Sequence, residues 1–234
     1  MLFAILCGLL WVRYGNGTWA WIGTLFWTSL FIVVISAIPF SAGLNKSDGA
    51  RFWQLFRYPE QARSWMALLA IQTEEVKGLR PREWNAEFVR EILAADVSSS
   101  EYLYCQLMVF YRRLDDGSDL AALVHLENAL ASSKRAEKSL RHALCLEAAC
   151  ASAVIRKQSA HAGVWCERAC KLRKPESLDV IDGAIAMCEG QYGEAAQHRE
   201  AARVRVDRLH LDSGLIRFAK DKWAEYENSC KAAC

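Results

Sequence analysis

The chain has 234 residues and nearly balanced charge, 29 Lys and Arg against 27 Asp and Glu. Its charges are interspersed rather than blocked, which excludes a nucleic-acid-binding face and a charged disordered tail. They are also unevenly placed: Arg13 is the sole charge in residues 1–40, and the rest is long enough for a sizeable core or a short array of repeats.

Residues 1–12, MLFAILCGLLWV, are apolar but too short to span a bilayer alone, and they lack the basic start of a signal peptide. A short helix, or the end of a longer span, is expected there. Asn16-Gly17-Thr18 matches a glycosylation sequon, yet in so short a connection it reads as turn chemistry. Trp19 to Phe40, WAWIGTLFWTSLFIVVISAIPF, is a run of twenty-two residues without a charge. At ~1.5 Å per residue it reaches across ~30 Å of hydrocarbon, so a full transmembrane helix is expected over about 19–40 inside a membrane segment 1–45. Lys46, Arg51, Arg57 and Arg63 follow that span and Arg13 precedes it, which places the C-terminal module in the cytoplasm.

Residues 46–98 read as membrane-proximal linking helices. Phe52, Leu55 and Phe56 share one helix face, expected to lie against the membrane surface or the next helix. Pro59 opens a helix running to about Val76, Gly78 ends it, and Pro81 starts another through Trp84, Phe88, Ile92 and Leu93. Ser98-Ser99-Ser100-Glu101 caps a helix from Tyr102 to Leu114. No stretch alternates long enough to be a strand.

Residues 99–234 repeat one plan. A first helix ends near Asp115-Asp116-Gly117 and a second starts at Asp119; the next breaks fall at Lys157-Gln158 and Glu189-Gly190-Gln191. Breaks spaced by about 40 and then about 33 residues suit paired-helix repeats, and Gly190-x-Tyr192-x-Glu194-Ala195 resembles a turn of the tetratricopeptide family. The fold class expected is therefore all-α: one or two transmembrane helices followed by an antiparallel, tetratricopeptide-like array for protein or peptide partners.

Nine cysteines form no Cys-x-x-Cys knuckle. Cys166/Cys170 and Cys230/Cys234 sit four apart on a helix face, and Cys145 and Cys150 lie among Ala and Leu, so buried, reduced thiols in a reducing compartment are expected. His161 and His198 read as solvated surface residues, the tryptophans (Trp53, Trp65, Trp84, Trp165, Trp223) as packing, and Arg112-Arg113 with Arg199, Arg203 and Arg205 as solvated faces.

Ser36-Ala37-Ile38-Pro39, a polar turn, and Ser47-Asp48-Gly49-Ala50-Arg51 together resemble the last membrane segment of the site-2 protease family, the intramembrane zinc metalloproteases. The resemblance covers about sixteen residues. It implies that Asp48 is a zinc ligand, that Gly49 lets the backbone turn close to the metal, and that the membrane is a bacterial inner membrane. Ser36 stands where the family has Asn, and Pro39 to Asp48 is longer than the family's gap. None of the histidines (His125, His142, His161, His198, His210) forms His-Glu-x-x-His, so the catalytic residues are none in this chain. Zinc is expected only if another segment completes the site. Apart from the resemblance, Asp48 also suits a helix N-cap. Two readings stand: the C-terminal portion of such a protease, inactive alone, or a non-catalytic membrane-anchored helical-repeat adaptor.

Overall fold

The computed structural model describes residues 20–42, 45–99, 101–173, 178–207 and 213–233. The expected N-terminal helix over 1–12, the sequon, Pro175, His210, Cys7 and Cys234 lie outside them. Two compact units meet between Ala62 and Arg63.

In the first unit, the uncharged run forms α1 (Ala20–Ala37), 18 residues long. Pro39 has no N–H to continue the ladder, and Ile38 N closes a tight last turn on Ile35 O (3.2 Å). At ~1.5 Å per residue α1 is ~27 Å long, short of ~30 Å of hydrocarbon. No helix among the described residues is long and apolar enough to cross a membrane; the full span expected over 19–40 is not established. Two-residue strands β1 (Ser41–Ala42) and β2 (Asn45–Lys46) pair antiparallel, Ser41 opposite Lys46. They lead into α2 (Asp48–Arg57).

The rest is helical, as expected. Helix α3 (Pro59–Val76) starts at its proline. Pro81 opens only a 3₁₀ turn, Pro81–Glu83, and the next helix, α4 (Ala86–Leu93), starts where the Asn85 side chain accepts from Glu87 N (2.8 Å). The expected helix from Pro81 is thus cut by a cap that a proline-first reading passes over. Trp84, in the connection, is buried with Leu68, Ile71, Ile92, Cys105 and Val109.

Three hairpins follow: α5 (Tyr102–Asp115) with α6 (Asp119–Ser132), α7 (Lys138–Val154) with α8 (Ser159–Leu172), and α9 (Asp179–Cys188) with α10 (Tyr192–Asp207). Helix α7 packs on α6 and α9, and α9 also meets α8, so each pair buries its inner face on the next. Ala153, Ala162 and Ala184 meet at the crossing of α7, α8 and α9, with Ile185 packed against them. Helix α11 (Gly214–Ala233) returns to the first helices. Leu215 joins the Trp84 cluster, Phe218 meets Tyr111 edge-on, and Arg217 donates to Gly78 O (2.8 Å).

Each reversal uses one left-handed residue: Gly117 (φ 74), Lys157 (φ 53) and Gly190 (φ 75). After α5, Gly117 N donates to Leu114 O and Ser118 N to Arg113 O; after α9, Gly190 N donates to Met187 O and Gln191 N to Ala186 O. These bonds satisfy the last carbonyls and turn the chain back. Lys157 does the same with a side chain that disfavours the conformation by ~1–2 kcal/mol. Lys157→Gly is therefore expected to raise the unfolding free energy by about 1 kcal/mol in urea denaturation, and Gly117→Ala to lower it by a similar amount. An unchanged or lower midpoint for Lys157→Gly would show that its side chain contributes more than the strain it carries.

Candidate functional site

In the first unit, Asp48 is the first residue of α2 and its side chain is exposed. The cap is not Asp48 but its neighbour: the Ser47 hydroxyl oxygen accepts from Ala50 N (3.2 Å). The same hydroxyl donates to Ile38 O (2.7 Å) and accepts from Phe40 N (3.0 Å), while Ser47 N donates to Phe40 O (3.0 Å). One side chain thus caps α2 and ties it to the chain leaving α1. Gly49 completes the contact. A Cβ there would fall inside the van der Waals envelope of the Ala37 backbone, so only glycine permits the approach.

The β1–β2 hairpin explains the long gap between Pro39 and Asp48. The extra residues run out and back, returning Ser47 to Ile38 and Phe40. Asp48 therefore arrives at the end of the apolar helix, in the first turn of α2, where negative charge is favoured. Among the described residues no group of three or more His, Cys, Asp or Glu is placed to hold a metal ion. Asp48 offers one anionic ligand, and the described residues complete no set of three around it.

In the second unit the histidines tie helix pairs together. His125 Nδ1, on α6, meets Gln106 Oε1 of α5 at 2.8 Å, and Gln106 is buried. His142 Nδ1, on α7, donates to Ala169 O of α8 (3.0 Å). Ser152 gives its O–H to Ala148 O, so its oxygen accepts from His161 Nδ1 (3.4 Å), joining α7 to α8. His198 Nδ1 lies 3.6 Å from Asp179 Oδ1, joining α10 to α9. His161 remains exposed and His198 half-buried, but the solvated-surface reading missed these partners, which come from a neighbouring helix and leave no local signal.

The thiols behave as packing groups. None of Cys105, Cys145, Cys150, Cys166, Cys170 and Cys188 is in a disulfide. Burial pushes Cys105 and Cys150 up to about 12 and Cys166 up to about 11, so these stay protonated and poorly nucleophilic. Cys170 and Cys188 depart from the buried expectation: both are exposed, because α8 and α9 turn those positions outward. The side chain of Cys230 lies outside the description. Between α5 and α7, Tyr111 Oη donates to Glu147 Oε1 (2.9 Å). Burial raises the Glu147 carboxyl, and the Tyr111 hydrogen bond partly offsets the rise.

The elements define a class: a short array of helix hairpins preceded by an apolar helix whose end is tied to the Ser-Asp-Gly start of the next helix. No family model, curated protein or solved structure matches the chain.

Burial, and secondarily the Arg113 charge, lowers the His125 pKa. An unfolded histidine titrates near 6.5, so below that pH the unfolded chain takes up the proton more readily than the folded one. Stability is full above about pH 6.5 and is lost as pH falls from there towards the folded value. His125→Gln keeps a donor but cannot titrate. Between about pH 7.5 and about pH 5.5 its melting temperature should fall less than that of the wild type. Equal falls would mean that His125 does not carry this part of the acid sensitivity.

Proposed function

We propose that the chain is the membrane-anchored C-terminal portion of a site-2-protease-like zinc metalloprotease, its helical array a tetratricopeptide-like surface for protein or peptide partners. One observation carries the reading: Asp48 is held at the end of the apolar helix by the Ser47 hydroxyl and the Gly49–Ala37 approach, across a hairpin that takes up the longer gap. A carboxylate fastened at that place is what the resemblance requires of a ligand. It is not a zinc site by itself, since zinc needs three or four converging ligands. The donor set among the described residues does not fit a complete site, and the other ligands and a general base would come from a further segment.

The anchoring part rests on α1. Trp21, Trp27, Phe31, Ile32, Val34 and Ile35 are all exposed and share one broad face of the helix, an apolar surface suited to hydrocarbon. The cations after α1 favour a cytoplasmic C-terminal module. The raised, unreactive thiols suit such a reducing compartment.

The second reading is a non-catalytic membrane-anchored adaptor. What favours it is the second unit, whose hairpins are tied by His125, His142 and His198 and closed by α11 without reference to any catalytic half.

Co-expression with a membrane segment bearing His-Glu-x-x-His from a site-2 protease separates the two. The purified complex is expected to hold about one zinc per pair, and Asp48→Asn to weaken zinc retention at least about tenfold. Asp48→Ala in the chain alone should leave α2 folded, since Ser47 is the cap. Stoichiometric zinc in the chain alone, or zinc indifferent to Asp48 in the complex, would overturn the protease reading in favour of the adaptor.

A further inference from the structure

Helix α2 carries its polarity inside out. Its buried side chain is Gln54, 5% exposed, which accepts from Lys46 Nζ (3.0 Å). Its aromatic residues face outward: Phe52 is 63% exposed, Trp53 59% and Phe56 73%, with Tyr58 exposed just beyond the helix end. At about 100° per residue, Phe52, Trp53, Leu55 and Phe56 form one continuous stripe opposite Gln54. Phe52 and Phe56 pack on each other with ring centroids 4.8 Å apart. On the same wheel Arg51 borders the stripe on one side and Arg57 on the other.

A ten-residue helix that buries an amide and exposes three aromatic rings in one patch presents a face suited to being covered. The edges of the stripe say what covers it. Cations flanking an aromatic stripe, with tryptophan among the rings, match the headgroup zone of a bilayer, where the rings enter the acyl boundary and the guanidinium groups meet lipid phosphates. The start of α2 is locked to the end of an apolar helix by Ser47, which keeps the stripe at that boundary.

We infer that α2 is an interfacial helix whose Phe52–Trp53–Phe56 stripe lies in the surface of an anionic bilayer, with Arg51 and Arg57 bound to lipid phosphates. The inference deepens the anchoring reading, because it assigns a second membrane contact beyond α1. In this position Asp48, at the head of α2, sits at headgroup depth.

Photocrosslinking tests it. The full chain is reconstituted in vesicles of phosphatidylcholine with about one quarter phosphatidylglycerol, with p-benzoylphenylalanine placed singly at Phe31, Phe56 or Leu120, the last an exposed position of α6. Adducts are identified by mass spectrometry. Lipid adducts are expected at Phe56 and not at Leu120. Omitting phosphatidylglycerol, or introducing Arg51→Gln with Arg57→Gln, should lower the Phe56 yield several-fold. Lipid adducts at Phe31 but not at Phe56 would overturn the inference and leave α1 anchoring intact. Adducts at Phe56 alone would support the interfacial helix and remove the α1 anchor. Water-quenched label at both positions would sink both ideas. A crosslink from Phe56 to protein would show that the stripe is a protein interface instead.

Discussion

The second unit depends on a backbone constraint, the single left-handed residue at the end of each first helix. Helix carbonyls left open at a C-terminus need donors, and the αL residue lets the following N–H groups fold back to supply them. That solution also reverses the chain, so satisfying the carbonyls and forming the hairpin are one event. Gly117 and Gly190 reach the conformation freely, and Lys157 reaches it under strain. Once reversed, each hairpin buries an alanine-rich seam on the next, as at Ala153, Ala162 and Ala184.

The array is then closed rather than left open. Arg80 lies between α3 and α4 and reaches Asp115 at the end of α5 (2.6 Å), where the carboxylate is almost fully buried. It also reaches Asp221 on α11, and Arg82 N donates to the second Asp115 oxygen (3.0 Å). The Asp115 hydrogen bond raises the Arg80 pKa against the opposing effect of burial, which keeps the guanidinium charged. Gly214 permits the start of α11 to lie on the Leu79–Arg80 backbone, where a Cβ would collide. A buried pair of this kind matters most when one partner is lost, at about 3–5 kcal/mol. Exposed pairs such as Lys171–Glu167 add little by comparison.

Much of this was legible in the sequence, and the exceptions share a cause. Glycine and proline marked helix ends because their effect is local: Gly78, Gly117, Gly190 and Pro59 all sit where their backbone preferences place them. Lys157 marked a break by context, yet nothing in its chemistry announces a left-handed turn. The histidine ties were invisible because each partner belongs to another helix. Ser47 was passed over for Asp48 because both residues cap helices, and only the return of the hairpin to Ile38 and Phe40 decides between them. The apolar stripe of α2 was legible as a helix face, but a sequence cannot say that the face points away from its own protein.

The functional reading rests on a hydroxyl that serves two elements at once. Ser47 holds the N–H of Ala50 on one side and the N–H of Phe40 on the other, so capping α2 and fixing it to the end of α1 are coupled. Amide hydrogen exchange of the membrane-reconstituted chain, wild type against Ser47→Ala, measures that coupling directly. If the hydroxyl is the tie, the Phe40 and Ala50 amides are protected in the wild type and lose protection together in the variant. Loss at Ala50 alone, with Phe40 exchanging freely in both proteins, would contradict it: Ser47 would then be a plain helix cap, and only the Gly49–Ala37 approach would be left to hold Asp48 near the end of the apolar helix.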